Sequence, residues 1–197
     1  MSQPLQAAAL DQILRTARTF NKFQPRTIDD ATLRQLYELY KWGPTAMNTQ
    51  PARVVFVRSA EAKEKLKAAL MGGNVEKTMN APVTAIVAYD TEFFEQLPGQ
   101  FPANPNARGM FAGNAALAES TAQRSSTLQG AYLILAARAL GLDAGPMSGF
   151  NAEAVNTAFF PNGKWKANFL VNLGYGDTTG NYPRGPRLGF EEAARIV

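Results

Sequence analysis

Apolar positions along this chain follow two patterns, helical spacing and short unbroken runs, and together they predict its elements. Leu10, Ile13, Leu14 and Ala17 share one side of a predicted helix over 5–18. Leu33, Leu36, Tyr37 and Tyr40 fall at i, i+3, i+4 and i+7, one buried stripe on a second helix, for which Thr27 and Asp30 form a plausible capping box. Gly43-Pro44 stops that helix, and the run Val54 to Val57 then reads as a buried central strand. Ser59 caps a charged helix over 60–71, ended by Gly72-Gly73, whose alternating Glu and Lys read as a solvated face. Val83 to Tyr89 and Lys166 to Gly174 are further strands. Between them lie a long helix over 115–140, small and polar first and then apolar, and a short helix capped by Asn151. Residues 98–114, rich in Pro, Gly and Asn, show no clear period and suit a lid, a binding loop or an ordered surface excursion.

Composition narrows the chemistry. At 197 residues, with 46% hydrophobic and 18% charged, a single globular domain over 1–197 is the default. The net charge of +4 comes from basic residues spread along the chain, which favours small anionic ligands over a nucleic-acid track. No apolar run approaches membrane-spanning length, and the N-terminus lacks a basic region followed by an apolar core, so a cytoplasmic location is expected. Neither Cys nor His occurs. That excludes disulfides, thiolate nucleophiles, Cys/His zinc sites and imidazole acid–base chemistry. Asp29-Asp30 and Glu191-Glu192 sit where helices start, so they read as structural and no metal is expected. Reactivity would come from a cofactor, a metal held by carboxylates, or Lys/Tyr.

Several stretches could carry a ligand. Thr45, Asn48, Thr49 and Gln50 form a polar loop between a helix and a strand; alone they read equally as a turn satisfying its own backbone. Arg18-Thr19 follows a helix and suits a phosphate, or simply a helix C-terminus. Asn74 and Lys77 precede a strand. Gly141 to Phe150 holds three glycines and a proline, which let backbone pass close to a ligand or make ordinary turns. Arg184 and Arg187 lie in the tail.

These stretches, with Pro44-Thr45-x-x-Asn48-x-Gln-Pro foremost, resemble the FMN-dependent nitroreductase family from Arg18 to Arg187. The resemblance implies an α+β, three-layer fold, a central mainly antiparallel sheet flanked by helices, in a homodimer whose sites draw on both chains. It implies FMN, with NADH or NADPH as hydride donor in a ping-pong reaction through flavin N5, and no nucleic-acid partner. Pro44, Thr45 and Asn48 take flavin-contacting positions. Arg18, Thr19 and Asn21 lie at the phosphate and pyrimidine motif, although Ala17 and Asn21 stand where that motif carries basic residues. Asn74 and Lys77 match a pair beside the pyrimidine, where a cation stabilises the negative charge of the reduced ring. Pro146, Met147, Ser148 and Gly149 match the segment along the N5 edge, and Arg184 and Arg187 a phosphate clamp. No catalytic side chain is singled out.

GLD-x-GPMSGF, NLGYGD and PRL-x-FEEA are similar to the malonic semialdehyde reductase (3-hydroxypropanoate dehydrogenase) branch of pyrimidine breakdown. For that anionic substrate, Arg108 is the candidate carboxylate partner and Phe111 a candidate cover over the flavin. The alternatives are a general nitroaromatic or quinone reductase, and a non-enzymatic flavin-binding protein of the same fold. A Rossmann reading fails: Tyr37-x-x-x-Lys41 precedes any Gly-rich turn, and Tyr182-Pro183 falls where a phosphate-binding helix should begin.

Overall fold

The run Val83 to Tyr89 is buried throughout and forms the centre of the molecule. The structure, a computed structural model, describes residues 3–197. Strands β1 (Ala52–Val57), β2 (Val83–Asp90), β3 (Asp143–Met147) and β4 (Trp165–Gly174) form one sheet in the order β1-β2-β4-β3. Every pairing is antiparallel. The two-residue period sends Val83, Ala85, Val87, Val171 and Leu173 to one face, against Leu33, Leu36 and Tyr40 of α2 (Asp30–Tyr40) and Leu133 and Ala137 of α7 (Ala115–Ala139). Ile86, Ala88 and Leu170 point the other way, against Leu66 of α3 (Ala60–Lys67) and Val155 of α8 (Ala152–Phe159). The result is the expected α+β arrangement, a sheet between two helical layers.

Several local expectations change. The run Val54 to Val57 lies on an edge strand, and of β1 only Val57 is buried, because a single neighbour, β2, pairs with it. Tyr37 is 49% exposed and leaves the buried stripe of α2 to Leu33, Leu36 and Tyr40. That helix is capped by Asp29, which accepts from Thr32 N at 2.7 Å, in place of the Thr27/Asp30 box. The predicted N-terminal helix is a short α1 (Ala7–Leu10) running into a π-helical turn, Asp11–Arg15, with no buried residue. Gly72 and Gly73 do not end α3 but open α4 (Gly72–Asn80), so Asn74 and Lys77 sit on a helix. The aperiodic stretch after β2 holds two short helices, α5 (Leu97–Gln100) and α6 (Ala107–Ala112), and α9 (Phe190–Ala193) lies in the exposed tail. Ser59, Asn114 and Asn151 cap α3, α7 and α8 by accepting from backbone N–H groups three residues on.

In the sequence, strand β3 shows only as a glycine-rich passage. Its Gly145 explains why: a Cβ there would come within 2.4 Å of the carbonyl oxygen of Phe20, so the strand needs a bare backbone beside the 19–20 segment. Thr19 forms an isolated parallel bridge with Ala144, and Phe20 N donates to Ala144 O at 3.1 Å. The N-terminal segment is thereby laid along the start of β3.

Candidate functional site

Polar residues gather at both ends of β3. At its start, a pocket of about 450 Å3 is lined by Arg18, Thr19, Asn21, Arg138, Arg184 and Arg187, with Leu14, Ala17 and Tyr182 to Gly185 completing the wall. Segments more than 160 residues apart thus meet. Arg18 donates to Tyr182 O, and Arg184 Nη2 donates to Ala17 O at 2.8 Å, so each arginine ties the other's segment into place. Arg187 Nη1 donates to Gly185 O and Pro186 O, both at 3.0 Å. Lys22 stays outside this group because its Nζ pairs with Asp177 at 2.9 Å.

Four guanidinium groups, all permanently charged, therefore line one small pocket. The nearby carboxylate is Asp143, whose Oδ2 accepts from Gly176 N at 2.8 Å; burial raises its pKa, opposed by that bond and by Arg138. The excess positive charge and the forked donors suit a phosphate.

At the other end of β3, Met147-Ser148-Gly149 meets α4. Asn74 Nδ2 donates to Gly149 O at 2.7 Å, and Met71 N donates to the same oxygen at 3.1 Å. A Cβ on Gly149 would lie 2.5 Å from Asn74 Nδ2, so this contact requires glycine. Ser148 is exposed and Pro146 half-buried. Lys77, on the same helix, is half-buried, and burial lowers its pKa. The two ends of β3 are about 14 Å apart at 3.4 Å per residue.

A buried polar network fixes α4. Lys63 of α3, only 4% exposed, donates to Thr78 O and Ala81 O at the end of α4 and lies 3.5 Å from Thr84 Oγ1. Thr84 Oγ1 donates to Asn172 Oδ1 at 2.7 Å, Asn172 Nδ2 to Thr78 Oγ1 at 3.3 Å, and Thr78 Oγ1 to Met147 Sδ at 3.5 Å. Burial pushes the Lys63 ammonium down to about 8.

The Pro44–Asn48 loop stands elsewhere, before the first residue of β1 on the edge opposite β3. Its polar groups serve each other and its neighbours. Thr45 Oγ1 accepts from Gln50 N at 3.1 Å, Asn48 Nδ2 donates to Gln100 O at 2.8 Å, and Tyr132 Oη donates to Pro44 O at 3.0 Å. Met47, Asn48 and Gln50 all have positive φ, an unusual run of left-handed non-glycine backbone. Between this loop and Gly149 lies the breadth of the sheet, about 14 Å of strand spacing. One chain does not bring them together.

The expected substrate residues are differently engaged. Arg108 is exposed and held by Glu95 in a two-point ion pair, with Nε and Nη2 each 2.8 Å from a carboxylate oxygen. Phe111 is 2% exposed and packs edge-on against Phe93 at 5.1 Å, within a core cluster. A larger groove of about 1070 Å3 runs between α2 and β1, past Arg53, Gln100, Gln129 and Trp165.

Two residues escaped sequence reasoning. Arg138 was not singled out, though a lone charge in the run Leu133 to Leu142 was a signal. Lys63 was counted with the solvated face, yet it lies three residues before Leu66, which is fully buried on the same face. Among the described residues, no group of three or more Asp, Glu, Cys or His is placed to hold a metal ion, and no helix is long and apolar enough to cross a membrane.

Residues 3–175 match the nitroreductase family, and the chain belongs to it. A relative from Stenotrophomonas maltophilia is 59% identical over the full length of both chains, and one from Ralstonia nicotianae is 55% identical over 98% of each. Both are provisionally named NADH dehydrogenase/NAD(P)H nitroreductase. A provisionally assigned nitroreductase from Exiguobacterium sibiricum, solved in complex with FMN, shares the fold with a TM-score of 0.85, at 22% identity and with both chains fully covered.

Proposed function

We propose that this protein is an FMN-dependent NAD(P)H oxidoreductase that works as a homodimer. The observation that carries the reading is the pair of polar clusters spaced along β3, a four-arginine pocket at one end and Asn74, Lys77 and Gly149 at the other. FMN carries a phosphate at one end of a short chain and a planar, heteroatom-rich ring at the other. Names borne by close relatives and the FMN in a structural neighbour support the same assignment.

Arg18, Thr19, Asn21, Arg184 and Arg187 would hold the phosphate side. Asn74 and Lys77 would take the pyrimidine, with Lys77 supplying fixed positive charge. Pro146 to Gly149 would line the reactive edge through backbone groups. Pro44, Thr45 and Asn48 would come from the second copy, because the loop of the same chain lies across the sheet. When bound, the flavin supplies hydride transfer from NAD(P)H to an acceptor. The chain's own work is binding, orientation and electrostatics.

The acceptor is read at two levels. The coarser one is a nitro, quinone or related electrophile. The finer one, reduction of malonic semialdehyde to 3-hydroxypropanoate, rests on the motif resemblance. It requires Arg108 to exchange Glu95 for the substrate carboxylate, a swap of one two-point ion pair for another. Mass spectrometry of the released ligand tests the cofactor, with FMN expected and FAD or no flavin contradicting it. Anaerobic bleaching by NAD(P)H, then reoxidation by a panel of aldehydes, nitroaromatics and quinones, tests the reaction. A flavin that NAD(P)H does not bleach would favour a binding protein.

A further inference from the structure

The arginine pocket contains a cation that neither the phosphate motif nor the tail clamp accounts for. Arg138 enters it from the last turn of α7. Its Nη1 donates to Ile13 O at 3.0 Å, and its backbone oxygen accepts from Gln12 Nε2 at 2.7 Å, so the side chain and the N-terminal helical segment are fixed to each other. Its Nε is buried and has no hydrogen-bond partner. A buried donor left unpaired is costly, and the guanidinium that carries it also lines the pocket, where its accessible side can meet an acceptor. The charges around it are Asp143, which eases its desolvation, and Arg184, which adds to the repulsion. Asp143 already accepts from Gly176 N.

The sequence supplies a reason for the extra cation. Ala17 and Asn21 occupy the positions where the phosphate-binding motif it resembles carries basic residues, and both line this pocket with Arg138.

We propose that Arg138 is a phosphate-binding residue, supplying from α7 the cation missing at positions 17 and 21, and that it makes the site select FMN over unphosphorylated riboflavin. This rests on the FMN reading, and the test separates the two. Flavin-free protein is titrated with FMN and with riboflavin, following quenching of flavin fluorescence. Arg138→Leu is expected to raise the Kd for FMN about tenfold or more, the effect of one charge-assisted contact, while the Kd for riboflavin stays within about twofold. Arg138→Lys, which keeps the charge and loses the fork, should fall between wild type and Arg138→Leu for FMN and leave riboflavin unchanged. If Arg138→Leu does not fold, the lysine variant decides alone. Unchanged FMN affinity in a folded variant overturns the proposal. Equal loss for both flavins also overturns it, since that marks an architectural residue. Wild-type protein that binds neither flavin would remove the FMN reading itself.

Discussion

The arginine pocket and the Pro44–Asn48 loop are both built from residues that sequence reasoning assigned to one site, yet they are opposite kinds of structure. In the pocket, segments far apart in sequence converge, and charge is left in excess: four guanidinium groups face one another, and Arg138 Nε has no partner. In the loop no charge is in excess and most polar groups are bonded, to each other or to Gln100 and Tyr132, but the backbone is strained, with Met47, Asn48 and the following Gln50 at positive φ. The first region suits an outside anion; the second holds strain of a kind that clusters at binding sites. They lie at opposite edges of one sheet. On the proposed reading, the two regions work together across a second copy.

The largest effect is expected where the pocket is dismantled. Arg18→Ala with Arg184→Ala removes two charge-assisted contacts of about 1.5–3 kcal/mol each, so FMN affinity should fall about a hundredfold or more. Isothermal titration measures it, and a loss below tenfold would take the phosphate out of this pocket. At the far end of β3, Lys77→Met should lower the potential of bound flavin by roughly 30–65 mV, the two-electron equivalent of one such contact. An unchanged potential in a variant that still binds FMN would remove Lys77 from the site. Gly149→Ala forces a Cβ toward Asn74 Nδ2 and should destabilise the fold by about 1–3 kcal/mol in thermal or urea unfolding, before any flavin is added. Full stability would mean that the Asn74 bond to Gly149 is dispensable.

The subtlest effect lies in the Lys63 network that fixes α4. Below about pH 8 the ammonium is protonated in both folded and unfolded chains. From there to its ordinary value of 10.5, the unfolded chain binds more protons, so stability rises with pH across that window. Tyr40 and Tyr89, whose pKa values burial raises, oppose this above pH 10, but they are common to both proteins in a comparison. Wild type should therefore gain melting temperature relative to Lys63→Met between pH 8 and 9.5. A constant difference would mean that the amine keeps its ordinary affinity for protons.

What was legible in the sequence divides along the same physical lines. Strands β2 and β4 announced themselves as apolar runs, α7 by its helical pattern and α8 by its Asn151 cap. Strand β3 did not, because Gly145 and Pro146 are chosen for close approach and an edge position, which read as a turn. The run Val54 to Val57 looked central because apolar composition reports burial by helices as well as by strands. Short motifs singled out Arg18, Arg184 and Arg187, whereas Arg138 and Lys63 carried only faint local signals that they turn inward. Their neighbours in space come from other segments. Arg108 and Phe111 were placed by the composition of their stretch, and the fold engages both within the chain.

The central claim is that pocket and loop complete each other between two copies. Mixing two defective chains, Arg18→Ala/Arg184→Ala and Thr45→Ala/Asn48→Ala, and refolding them together tests it most directly. In a mixed dimer, the intact pocket of one chain meets the intact loop of the other, so one site in two is restored. Tight FMN binding at about one flavin per mixed dimer is the predicted result. If the two regions served a site within one chain, every site in the mixture would keep a lesion, and binding no tighter than in either parent would contradict the account.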